Sequence, residues 1–175
     1  DMRGHGRSDK PRERYSIRGF AGDVEALIEH LNLGPVHVVG LSMGGMIGFQ
    51  LAVDQPHLLK SLCIVNSAPQ VKIQSADDAW QYAKRWGLAR LLSMETLGKA
   101  IGRNLFPKPE QDDLRRKIAS RWAENDKRAY LASFDAIVGW GVQPKLSRIT
   151  CPTLSISADR DYTPGSLKEA YVKLI

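Results

Sequence analysis

The 175-residue sequence predicts an α/β fold, in which a mostly parallel sheet packs against helices and an all-helical segment is inserted into that core. Three observations predict this fold class. Helix and strand patterns alternate between residues 16 and 66, helical patterns alone follow from 76 to 140, and a strand and a helix return after Pro144. Strands separated by helices form parallel sheets, and a block of consecutive helices indicates an insertion.

The alternating part begins with an amphipathic helix. Ser16 is a candidate N-cap, and Gly34-Pro35 is a candidate stop. Apolar residues between them recur at helical spacing on one face: Ile17, Phe20, Ala21, Val24, Leu27, Ile28 and Leu31.

Strands and helices then follow in turn. VHVV, at 36–39, predicts a short strand; a helix runs from Met43 to about Asp54; and SLCIVN, at 61–66, predicts a second buried strand. Further along, PTLSIS at 152–157 predicts a strand and SLKEAYVKLI a helix. The helical block between them consists of DDAWQYAKRWGLARLL, METLGKAIGRNLF, PEQDDLRRKIASRWAEN and KRAYLASFDAIVGW.

The basic charge of the chain is confined to the helical block. The formal net charge is +6, and residues 70–148 hold 15 Lys/Arg against 9 Asp/Glu, which accounts for all of it. Acidic and basic residues are interspersed there, which is typical of a solvated helical face rather than a nucleic-acid surface. No apolar run approaches the roughly 20 residues of a membrane span. We therefore expect neither nucleic acid nor membrane as a partner.

Two cysteines, Cys63 and Cys151, each lie in or beside an apolar run. Two isolated cysteines make neither a disulfide framework nor a metal site, so we expect buried free thiols in a reducing compartment. Cytoplasmic localisation is the corresponding default. The sequence has no metal-ligand cluster and no phosphate loop, so we expect no metal and no cofactor.

The segment GLSMG, at 40–44, fits G-x-S-x-G, the nucleophile elbow. This turn from strand to helix is sharp and strained. Residues two before and two after the serine must therefore be small, as Gly40 and Gly44 are, while Gly45 and Gly48 let the helix pack closely below.

Such a turn would present Ser42 as a nucleophile at the N-terminus of a helix. The helix dipole and the Met43 N–H are candidates to stabilise an oxyanion there. A glycine-rich turn that only binds phosphate or only packs is the alternative for so short a pattern.

Three segments together resemble the α/β-hydrolase fold family, of the esterase, lactonase and C–C hydrolase kind. DMRGHGRSDKP is similar to the family's D-x-R-G-x-G-x-S loop, VHVVGLSMGGMIGFQLA to its nucleophile strand, elbow and helix, and CPTLSISADRDYTP to its late strand and acid-bearing loop. The resemblance implies a three-layer α/β-hydrolase core. Residues 1–69 would form its first part, 70–148 a helical cap, and 149–175 its second part.

The resemblance also implies a triad in the chain order serine, aspartate, histidine. Asp161 matches the acid of the family's G-x-x-D pattern, although Ala158 stands in place of the glycine, and Asp159 is the competing candidate. Some relatives carry the acid after the strand that corresponds to SLCIVN. This chain has the neutral Asn66 there, which cannot serve as an acid.

The triad histidine has no match in the chain. All four histidines precede Asp161, and we expect a structural or solvated role for each: His5, His30, His37 and His57. In the family the histidine follows one further strand, and the second oxyanion donor comes from an earlier loop. We therefore expect an internal fragment that lacks the N- and C-terminal parts of the fold and is inactive alone.

All four tryptophans lie in the predicted cap, and they are candidates to line an apolar substrate pocket: Trp80, Trp86, Trp122 and Trp140. Packing between cap helices is the alternative role. The predicted function is a serine hydrolase that acts on a small-molecule ester, thioester or lactone through an acyl-enzyme. The alternatives are C–C hydrolase, acyltransferase, perhydrolase or lyase activity on the same fold, or a non-catalytic binding protein.

Overall fold

The computed structural model describes residues 1–158 and 165–175, which form two compact units. The first unit joins residues 1–14 with 73–135, and the second joins residues 15–72 with 136–175. The predicted boundaries of the core and cap, at 69/70 and 148/149, stay a prediction.

The second unit contains the sheet and four helices of the described chain. Its elements are α1 (Ile17–His30), β1 (Val36–Leu41), α2 (Met43–Asp54), β2 (Leu59–Val65), the C-terminal end of α6 (Lys127–Ile137), β3 (Thr153–Ile156) and α7 (Gly165–Val172). Ser16 caps α1, because its hydroxyl accepts the Gly19 N–H at 2.9 Å. The predicted N-cap of α1 is therefore confirmed. The bounds of α2 are also those that the sequence predicts.

The three strands form a parallel sheet with β2 in the centre. Val39 of β1 is paired with Cys63 of β2, and Cys63 with Leu154 of β3. Paired residues of a parallel sheet point to the same face, so this register sorts the side chains into two sets. The parallel sheet and the accompanying helices confirm the predicted α/β class.

One face of the sheet is covered by α2 and α7 and holds the core of the unit. Phe49 of α2 is fully buried, and its ring meets Tyr171 of α7 edge-on with the centroids 5.4 Å apart. Leu62 and Ile64 of β2 are also buried, and Leu62 lies 3.0 Å from a Cβ built on Gly48. Complete burial of such a side chain contributes about 1.5–3 kcal/mol. The close approach of α2 that Gly48 was expected to allow is thus present.

The opposite face of the sheet is open. Four of its apolar side chains are between 47% and 74% exposed: Val39, Leu41, Leu154 and Ile156. Because the register aligns β1 with β3 through Cys63 and Val65, these side chains form one continuous apolar surface.

The first unit consists of the N-terminal loop and a helical block. Its helices are α3 (Ala76–Leu91), α4 (Met94–Leu105), α5 (Asp112–Ala123) and most of α6. Gly98 lets α4 approach α5 closely, because a Cβ there would lie 2.5 Å from the Trp122 Cβ. Arg128 of α6 holds the loop by donating to the Lys10 and Pro11 carbonyls at 2.7 and 2.9 Å. The Trp80 and Trp122 segments are helical, as predicted.

Of the apolar stripe on α1, Ile17, Phe20, Ala21 and Ile28 are buried, whereas Leu27 and Leu31 are 54% and 52% exposed. One detail of the sequence interpretation is wrong. The thiols of Cys63 and Cys151 are free but only half-buried. Within the part of the chain that the structure describes, no helix is long and apolar enough to cross a membrane.

Candidate active site

Ser42 occupies the turn between β1 and α2, and its backbone has a conformation that residues other than glycine rarely adopt. Its φ is 53° and its ψ is −116°, while the residues of the helix follow directly from Met43. Such a conformation costs on the order of 1–3 kcal/mol and persists only where surrounding contacts fix it. The strained turn that the G-x-S-x-G pattern predicts is therefore present at Ser42.

Four hydrogen bonds fix the Ser42 backbone. Its N–H donates to the Val65 carbonyl at 3.0 Å. Its carbonyl accepts the N–H groups of Gly45 and Met46 at 2.9 and 3.2 Å, and the Ser67 hydroxyl at 2.7 Å. The turn is thus held by α2 on one side and by the end of β2 on the other.

Gly40 and Gly44 were expected to make room for the turn, and Gly45 to let α2 pack closely below it. A Cβ on Gly40 would lie 2.3 Å from the Gly44 carbonyl oxygen, and a Cβ on Gly45 would lie 2.6 Å from the Ser67 Cβ. Both positions therefore exclude a side chain. Among the described residues, a Cβ on Gly44 would meet nothing within 4 Å, so the expected collision at Gly44 is wrong. The steric restriction falls on Gly40, two residues before the serine, and on Gly45 in the first turn of α2.

The Ser42 side chain is available for chemistry. Ser42 is exposed, and its hydroxyl does not cap α2. Met43 is the first residue of α2, and the first N–H groups of a helix have no partner within it. The hydroxyl and the Met43 N–H therefore lie at the same helix N-terminus, where a developing negative charge is favoured.

Asn66 connects the ends of β2 and β3. Its backbone is left-handed with φ 45°, its N–H donates to the Ile156 carbonyl at 2.9 Å, and its Oδ1 accepts the Ala158 N–H at 2.8 Å. The chain leaving β3 is thereby held next to the chain leaving β2. Asp159 and Asp161, the two acid candidates, lie outside the described residues.

The histidines of the second unit have the solvated or structural positions that the sequence suggests. His37 is the second residue of β1, roughly 16 Å along the strand from Ser42, and its Nδ1 lies 2.7 Å from the Ser61 Oγ. His57 follows α2, a helix about 18 Å long that begins beside Ser42. His30 ends α1 and is exposed. In the first unit, the His5 Nδ1 lies 3.1 Å from the Arg3 carbonyl oxygen.

The four tryptophans have four different environments. Trp80 is 64% exposed, Trp86 stacks with the Arg90 guanidinium 5.1 Å from its ring, and Trp122 packs on the cluster of Ala89, Met94 and Leu97. Trp140 belongs to the second unit, where its indole N–H donates to the Gln50 Oε1 at 2.8 Å. Their role in a substrate pocket stays a prediction.

Burial and hydrogen bonds shift the pKa of two side chains in the first unit. Burial, and then the hydrogen bond to Asp135, raises the pKa of the Tyr82 phenol to about 12. Hydrogen bonds from the Gln74 N–H and the Ser75 hydroxyl lower the pKa of the Asp78 carboxyl. Asp78 is also the N3 residue of a capping box with Ser75 at the start of α3. No group of three or more His, Cys, Asp or Glu side chains in the described ranges could hold a metal ion.

Sequence reasoning missed three buried polar residues of the second unit. Ser67 and Tyr171 are each 3% exposed, and Lys168 is equally buried with its Nζ 2.9 Å from the Ser157 Oγ. Nothing in the local pattern distinguishes Ser67 from other loop serines. A lysine and a tyrosine three residues apart on a helix gave no sign of burial, because charged and phenolic groups more often face solvent.

A family model of the alpha/beta hydrolase fold matches residues 1–97. The chain belongs to the alpha/beta hydrolase fold family. Among solved structures, the enol-lactonase from Burkholderia xenovorans LB400 is 26% identical with a TM-score of 0.85, over all of this chain and 67% of that one. The resemblance inferred from the three sequence segments is confirmed.

Two curated alpha/beta hydrolase relatives from Acinetobacter baylyi extend the comparison. Its 3-oxoadipate enol-lactonase 2 is 30% identical over 164 residues, and its 3-oxoadipate enol-lactonase 1 is 28% identical over 181 residues. The matches cover 92% and 99% of this chain, but only 60% and 65% of the respective relatives. The chain therefore spans less than two thirds of the length of these lactonases.

Proposed function

We propose that this alpha/beta hydrolase cleaves a small-molecule ester, thioester or lactone through an acyl-enzyme formed on Ser42. The observation that carries the proposal is the left-handed Ser42, exposed at the N-terminus of α2. In this geometry the Ser42 hydroxyl and the Met43 N–H lie at the same helix N-terminus, so that one could attack a carbonyl carbon while the other binds its oxygen.

The reaction would proceed in two stages. Ser42 Oγ attacks the carbonyl carbon and loses its proton to a histidine, and the Met43 N–H binds the oxyanion that forms. The histidine then protonates the leaving oxygen or sulfur, and water releases the acid from Ser42 in a second attack. Asp161 is proposed to orient that histidine.

Lactones are the favoured substrates within this class. Support comes from three of the relatives, since the two Acinetobacter baylyi proteins and the Burkholderia xenovorans structure are named as enol-lactonases. In a lactone the leaving oxygen stays attached to the acyl group, so the acyl-enzyme carries both halves of the substrate. The pocket of a lactonase therefore needs no exit path for an alcohol between formation of the acyl-enzyme and the attack of water.

Covalent labelling tests the proposed nucleophile directly. The complete gene product is treated with a serine-directed fluorophosphonate, and the modified peptide is located by mass spectrometry. We expect the label on Ser42 and loss of aryl-ester and lactone turnover in proportion to labelling. A label on another serine, with turnover lost, would contradict the assignment.

The chain of residues 1–175, expressed alone, is expected to be a poor hydrolase. His37 lies about five residues from Ser42 along β1, and His57 lies beyond the far end of α2, so neither imidazole is placed to remove the hydroxyl proton. The open apolar face of the sheet should also make this chain prone to aggregation.

The measurement is aryl-ester turnover of residues 1–175, with Ser42→Ala as the background control, alongside size-exclusion chromatography. Turnover well above background that depends on Ser42 would contradict the expectation. His5 would then be the first base to replace, since it lies in the D-x-R-G-x-G-x-S segment.

A further inference from the structure

A buried phenol links three elements behind the elbow. Tyr171 of α7 is 3% exposed, and its hydroxyl lies 2.8 Å from the Ser155 Oγ of β3. The same hydroxyl donates to the Ser67 carbonyl at 3.2 Å. Because a phenol has one proton to donate, the Ser155 hydroxyl is the donor to Tyr171. A continuous hydrogen-bonded path thus runs from Ser155 of β3 through Tyr171 of α7 to Ser67, in the loop after β2.

Ser67 continues this path to the nucleophile. Its own hydroxyl donates to the Ser42 carbonyl at 2.7 Å, and the side chain is 3% exposed. Of the three donors to that carbonyl, Gly45 and Met46 belong to α2 itself. Ser67 is the one that ties the carbonyl to the sheet.

We propose that Ser67 is a positioning residue for Ser42, and that Tyr171 fixes Ser67 in turn. This inference rests on the proposed function, in which Ser42 is the nucleophile. Ser67 does not touch the reacting atoms. It acts through the Ser42 carbonyl, whose orientation is coupled to ψ of Ser42 and hence to the direction of its hydroxyl.

The strain at Ser42 explains why such a residue is needed. A φ of 53° is unfavourable for serine, so the backbone relaxes unless contacts oppose the relaxation. Close packing adds to the restraint, because a Cβ on Gly45 would lie 2.6 Å from the Ser67 Cβ and 2.8 Å from its Oγ. The helix and the loop after β2 are therefore in direct contact at this point. A displacement of about 1 Å at a reacting group can cost 10²-fold in rate.

The test compares two buried serines that make the same kind of bond. Ser133, in the first unit, is 4% exposed and donates to the Ala129 carbonyl at 2.9 Å. Ser67→Ala and Ser133→Ala each remove one buried hydroxyl-to-carbonyl bond. Ser67→Ala should lower the free energy of unfolding by about 1 kcal/mol. Ser133→Ala should change it less, because its bond runs to the carbonyl four residues earlier on α6 and alanine favours a helix more than serine does. The variants are made in the complete gene product and assayed on an aryl ester and a simple lactone.

We expect Ser67→Ala to lower kcat about tenfold with KM changed less than twofold, because the loss lies in orientation rather than in substrate binding. The rate of fluorophosphonate labelling should fall by a similar factor, and the midpoint of the pH–rate profile should not move. Ser133→Ala should keep kcat within twofold of the wild type. Tyr171→Phe, which retains the ring packed on Phe49, should lower kcat about threefold, as expected for a restraint one step removed.

Two results would overturn the proposal: a Ser67→Ala variant whose kcat stays within twofold of the wild type, or a Ser133→Ala variant that loses as much activity. If Ser67→Ala does not fold, Ser67→Cys and Tyr171→Phe decide by the same measurement. Unchanged kcat in both would reject the proposal, and a fall in kcat at constant KM would support it. Failure of the proposed function looks different, because turnover would then survive Ser42→Ala.

Discussion

Ser42→Ala is expected to reduce hydrolysis of an aryl ester or lactone to the uncatalysed background, a loss on the order of 10⁶ in kcat by the precedent of serine triads. No other nucleophile is held at the elbow, because Met43 and Gly44 follow directly as helix residues. The variant should fold normally, since the hydroxyl makes no cap hydrogen bond with α2. Unchanged thermal unfolding together with lost turnover is therefore the expected pair of observations.

Replacing the acid separates the two aspartate candidates. We expect Asp161→Asn to lower kcat by about 10⁴, because an amide cannot hold the histidine in the required tautomer or stabilise its charged form. Asp159→Asn serves as the matched control and should cost less than tenfold. If Asp159→Asn is the damaging change and Asp161→Asn the mild one, Asp159 is the acid and the assignment is reversed.

Gly40→Ala is expected to prevent the elbow from forming. The new methyl group would lie 2.3 Å from the Gly44 carbonyl oxygen and 2.6 Å from the Gly45 nitrogen. These are backbone atoms at the first turn of α2, so no flexible side chain can move away. We expect a loss of about 3 kcal/mol or more in the free energy of unfolding, at the upper end of what overpacking costs. Urea unfolding of the complete gene product measures it.

Gly44→Ala is the control for that experiment. It adds the same methyl group on the same turn, but in a position with open space around it in the described chain. Alanine also favours a helix over glycine by up to about 1 kcal/mol. The free energy of unfolding should therefore stay the same or rise. A loss as large as that of Gly40→Ala would show that the elbow restricts both positions, contrary to the geometry.

The sequence was sufficient where local chemistry decides the outcome. The Ser16 cap and the α2 helix that ends before Pro56 depend on contacts within a few residues. The elbow was predictable for the same reason, because a serine flanked by glycines between a strand and a helix leaves few conformations open.

Long-range contacts account for what was missed. Ser67 meets Ser42, and Tyr171 meets Ser67, across 25 and 104 positions of the chain, which no local pattern encodes. The exposure of Leu27 and Leu31 also lay beyond the sequence, because periodicity shows which side chains share a face but not how far a neighbouring helix extends along it. Gly44 was misjudged because its surroundings depend on the path of the whole turn.

The contacts around the elbow also set an order in which the molecule can assemble. β1, α2 and β2 are consecutive, so the turn at Ser42 closes with loops of only a few tens of residues, whereas β3 and α7 arrive from beyond residue 150. Short loops lose less chain entropy on closure, so the turn at Ser42 should belong to the folding nucleus, and β3 and α7 should dock afterwards. We expect φ-values above about 0.5 for Val53→Ala in α2 and below about 0.3 for Tyr171→Phe in α7. The reverse ranking would place the folding nucleus at the other edge of the sheet.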